Sequence, residues 1–63
     1  MNSINKDAKD VLMRVATEHP TRSVSNYHAL FELARRIADA DNAKVKIDST
    51  TIAEAAKNAL GVA

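Results

Sequence analysis

Apolar and polar positions along this chain follow a helical period almost throughout, and one short stretch departs from it. Ile4, Ala8, Val11, Leu12 and Val15 share one face over residues 4–17, with Lys6, Asp7, Lys9, Asp10 and Arg14 on the other. Ser3 or Asn5 is placed to cap this helix, and Asp10 to Arg14 is an i,i+4 pair. Pro20 ends it, because the ring disfavours helical geometry at His19 and removes a backbone donor. A second helix follows a cap at Ser23 or Ser25 and runs to about Ala40. Its stripe of Val24, Tyr27, Leu30, Phe31, Ala34, Ile37 and Ala38 is widened by Leu33 and Ala40, which predicts contact with more than one element. Glu32 and Arg36 have the spacing of an exposed ion pair.

After the turn residues Asp41 and Asn42, the segment Ala43, Lys44, Val45, Lys46, Ile47 alternates apolar and charged residues, the period of a β-strand with one buried face. A third helical face of Ile52, Ala55, Ala56, Ala59 and Leu60 follows, with Thr51 and Glu54 spaced as a capping box and Gly61 as a stop. The pattern predicts a mainly α chain with one short β-strand, ordered helix, helix, strand, helix. A strand needs a neighbour for its N–H and C=O groups, and no second strand is apparent. The expected solution is an intertwined homodimer joined by a two-stranded antiparallel ribbon between subunits. Its expected interface is Leu30, Phe31, Leu33, Ile37, Val45 and Ile47, because a lone subunit is expected to expose much of the second helix's apolar face.

Length supports association. Sixty-three residues make one dimerising domain, with 1–20 an N-terminal helix or arm and 24–60 a helix–strand–helix core. Whether the first helix docks on its own subunit, swaps or stays mobile is open. Chains this short usually need a staple, and with no cysteine neither a disulfide nor a thiolate zinc site is available. His19 and His28 are not spaced as a helical metal pair. No cofactor is expected. Nine Lys plus Arg against eight Asp plus Glu leave the chain near neutral, without the basic excess of a duplex-binding module. No apolar run approaches a membrane span, and the first residues lack a signal peptide's apolar core. The absence of cysteine suits a reducing cytoplasm.

Lys44 and Lys46, on the outer strand face, would present four lysines from a paired ribbon to DNA; the plainer reading is a solvated strand face. Arg35 and Arg36 are a candidate basic patch with Arg22, or simply partners of Glu32 and Asp39. His28 beside Tyr27, with Ser23 and Ser25 nearby, does not make a triad, and the chain reads as no enzyme. Asp39, Asp41 and Asp48 lack the spacing of a calcium loop and suit turns and caps. The wide apolar stripe is also a candidate docking groove for a helix of another protein.

The block SNYHALFELARRIADADNAKVKI over residues 25–47, together with the whole length, resembles small early proteins of lambdoid temperate phages, from an open reading frame of 63 codons between the exonuclease and excisionase genes. The resemblance implies a helix-and-strand dimer without enzymatic activity, acting in the host bacterial cytoplasm to favour lytic over lysogenic development. It defines no functional residue that can be transferred to a position here. The leading expectation is therefore a homodimer that binds a host or phage regulatory protein. The alternative is a small DNA-binding transcriptional regulator using a lysine-bearing β-ribbon with Arg35 and Arg36.

Overall fold

A computed structural model describes residues 3–62; the expectations touching residues 1, 2 and 63 lie outside them. Three helices account for the secondary structure of those residues: α1, Lys6–Glu18; α2, Val24–Asn42; and α3, Ser49–Leu60. All three pack against one another, with α1 and α3 the most extensive pair, so α1 docks on its own subunit. Ala8, Leu12 and Val15 of α1, Leu33 and Ile37 of α2, and Ile52 and Ala56 of α3 meet in one core, with Val11, Leu30, Ile47, Ala55 and Leu60 packed around it.

Both ends of α2 and of α3 have a local cause. Ser23 caps α2, its hydroxyl accepting the Asn26 N–H at 3.2 Å. Asp48 caps α3 by accepting the Thr50 N–H, so Thr51 lies inside the first turn and the Thr51–Glu54 box does not form. Gly61, at φ 71°, closes α3: its N–H donates to Asn58 and that of Val62 to Lys57, the paired bonds of a left-handed helix stop. The end of α2 uses the same device without glycine. Lys44 takes φ 58°, its N–H donating to the Asp41 carbonyl and that of Val45 to the Ala40 carbonyl.

The expected strand, and with it the ribbon between subunits, does not form: no strand occurs among the described residues. Residues 43–47 instead carry the chain from the left-handed stop of α2 to the cap of α3. The N–H groups of Ala43, Lys44 and Val45 return to carbonyls of the last turn of α2. Asn5 is fully buried, and its side-chain amide donates to the Val45 carbonyl at 2.8 Å while its oxygen accepts the Ile47 N–H at 2.7 Å. One carboxamide thus does for two residues what a neighbouring strand would do. Spent on this, it makes no cap bond at the start of α1.

Further bonds close the same clasp. The Ser3 hydroxyl donates to the Asp41 carboxylate, which also accepts the Asn5 N–H at 3.0 Å. The Lys46 ammonium donates to the Ile4 carbonyl at 2.9 Å. The Ser3 hydroxyl bond comes first among the causes that hold the Asp41 carboxyl below the usual aspartate value. The Asn5 side-chain and backbone donors and the charge of Lys9 add to it, against partial desolvation.

Candidate functional site

The surface of α2 divides into three strips. Its core face carries Leu33 and Ile37, 8% and 1% exposed, with Leu30 half-buried beside them. These two residues are covered within a single subunit, contrary to the expectation that a lone subunit would expose them. The helix is long enough to carry a second apolar strip, and that one faces outward. Val24, Tyr27 and Phe31 are 83%, 59% and 61% exposed, and Ala34 and Ala38 continue the line in the open. Desolvating three such side chains is worth several kcal/mol, at about 1.5–3 kcal/mol each when fully buried.

The third strip borders a groove of about 690 Å³ between α2 and α3. Ala29 and Leu33 from α2 and Ala55 and Ala59 from α3 give it an apolar lining, with Glu32, Arg35, Arg36, Asp39 and Asn58 also along it. Alanine on the α3 side is what leaves the space, since a larger side chain would fill it. Glu32 lies 3.6 Å from Arg35 and 3.9 Å from His28, whereas the sequence spacing favours Arg36 as its partner. These groups are well exposed, so the pairs orient the rim more than they stabilise the fold. On α1 the ion pair is Lys6 with Asp10, at 3.1 Å, in place of Asp10 with Arg14.

The remaining candidates fall elsewhere. Val45 is 54% exposed and Ile47 half-buried, with Val45's carbonyl and Ile47's N–H both bound to Asn5. Lys44 and Lys46 sit in the connection after α2, and the Lys46 ammonium is tied to the Ile4 carbonyl. Without a strand there is no ribbon to gather these lysines, and the proposed ribbon contact with DNA falls with it. Arg35 and Arg36 belong instead to the groove. Ser23 is a helix cap, Asp48 another, and Asp41 is held in the clasp.

Sequence reasoning placed Ala55 and Ala59 on the apolar face of the third helix, but did not find the groove they leave. It took Asn5 as a cap and Asp41 as a turn residue, and no local signal joins them across the chain. No helix is long and apolar enough to cross a membrane among the described residues. The chain matches no family model, no curated protein and no solved structure.

Proposed function

We propose that this chain is a non-enzymatic interaction protein that works as a homodimer and binds a host or phage regulatory protein, favouring lytic development in the bacterial cytoplasm. The observation that carries the reading is the outward apolar strip of α2, with Val24, Tyr27 and Phe31 all more than half exposed on so small a body. A body this size with so few large core side chains gains from covering that strip. The resemblance of residues 25–47 to early phage proteins supplies the biological setting.

The groove supports a second contact. Its apolar lining and the mixed charges of Glu32, Arg35, Arg36 and Asp39 suit an amphipathic helix of a regulatory partner. The test is expression of the chain in a bacterium carrying a lambdoid prophage, scored for the shift toward lysis. The double variant Arg35→Glu/Arg36→Glu, with helix content checked by circular dichroism, should lose that shift while remaining folded. No lytic shift by the wild-type chain, or a full shift by the folded variant, refutes the reading.

A further inference from the structure

We infer that two copies of this chain join along α2 in antiparallel orientation, about a two-fold axis beside Phe31 and Ala34. The inference rests on the reading that the chain pairs; it adds the face, the polarity and the register. The outward residues Val24, Tyr27, Phe31, Ala34 and Ala38 are separated by three, four, three and four positions. That alternation keeps one seam facing a second helix along its length. At 19 residues, α2 is about 28 Å long, and all five residues of the seam along it are exposed.

Side-chain size fixes the polarity. The large residues occupy the N-terminal half of the seam and the two alanines the C-terminal half. Antiparallel pairing sets Phe31 against the partner's Ala34 and Tyr27 against the partner's Ala38, large into small in these layers. Parallel pairing would stack Phe31 on itself and leave the alanine layers as voids, which close-packed interfaces do not tolerate. Charge points the same way. Glu32, Arg35 and Asp39 follow one another along the flank of the seam, alternating in sign. Reversed on the partner, the row stays on the same flank of the seam and places Arg35 beside the partner's Glu32. In parallel orientation the two rows would lie on opposite sides of the seam and never meet.

The chain has no cysteine, so a probe can be attached at one chosen position. Asn42, exposed at the end of α2, is replaced by cysteine and spin-labelled, and the separation of the two labels in the dimer is measured by electron paramagnetic resonance. Antiparallel pairing at this register predicts about 30 Å, from the 1.5 Å rise per residue and a helix spacing of about 10 Å; parallel pairing predicts about 10–15 Å. Sedimentation of Phe31→Asp, with its helix signal unchanged, should show loss of the dimer. Charge reversal Glu32→Arg should weaken association several-fold, and adding Arg35→Glu should restore it. A wild-type chain that sediments only as a monomer at micromolar concentration refutes pairing itself. A dimer with the short label separation, or one indifferent to Phe31→Asp, leaves pairing intact and overturns this arrangement.

Discussion

Replacing Asn5 by alanine removes two hydrogen bonds and leaves their partners in different positions. The Val45 carbonyl belongs to a residue 54% exposed and can return to water, at a cost of about 1 kcal/mol. The Ile47 N–H, on a half-buried residue, loses its partner and costs about 1–3 kcal/mol. The sum of about 2–4 kcal/mol is large against the total of about 3–9 kcal/mol expected for a domain of 63 residues. It corresponds to a fall in Tm of about 15–30 °C by circular dichroism. Amide hydrogen exchange gives the sharper readout, since the Ile47 amide should lose protection in the variant before the amides of α2 do. Asn5→Asp is the control: it retains an acceptor for Ile47 but turns a second acceptor on the Val45 carbonyl and adds a charge beside Asp41. It should destabilise at least as much. A loss below about 0.5 kcal/mol in Asn5→Ala, with Ile47 still protected, would refute the carboxamide's role.

Lys44→Gly should raise stability by about 0.5–1 kcal/mol in urea denaturation, because glycine takes φ 58° without the side-chain clash. Ile37→Ala should cost about 2–5 kcal/mol by the same assay, since the side chain is 1% exposed, and a small loss would mean that the core is misplaced. Asp41 is held below its ordinary value of 3.8, so under more acidic conditions the unfolded chain takes up a proton that the folded one resists. Stability should therefore decline as pH falls below 3.8, and Ser3→Ala, which removes the largest cause, should make that decline shallower.

Helices declared themselves in the sequence because their signals are local. The apolar face of α1, the Ser23 cap, the stop at Gly61 and the breadth of the α2 stripe all lie within a few residues of what they determine. That breadth also announced more than one contact for α2. Which half would turn inward was not legible, because Leu33 with Ile37 and Tyr27 with Phe31 are equally apolar and differ only in what α1 and α3 bring against them. The strand was misread for a related reason. Five alternating residues are also what results when a left-handed helix stop, an exposed valine and a half-buried isoleucine fall in succession. The group that satisfies their backbone stands about 40 positions earlier, as the separations of 40 and 42 in the Asn5 bonds show, beyond the reach of any short window. The groove was illegible for the same cause, since it is the space left where α2 and the alanines of α3 stand apart.

The reach of those Asn5 bonds also orders events in time. Turns of α1, α2 and α3 can form as each is synthesised, but the entrance to α1 stays unfastened until residue 47 has emerged and returned to it. Bringing those ends together requires closing a long loop for a few bonds. Consolidation of the tertiary structure is therefore a late event that cannot precede the emergence of residue 47.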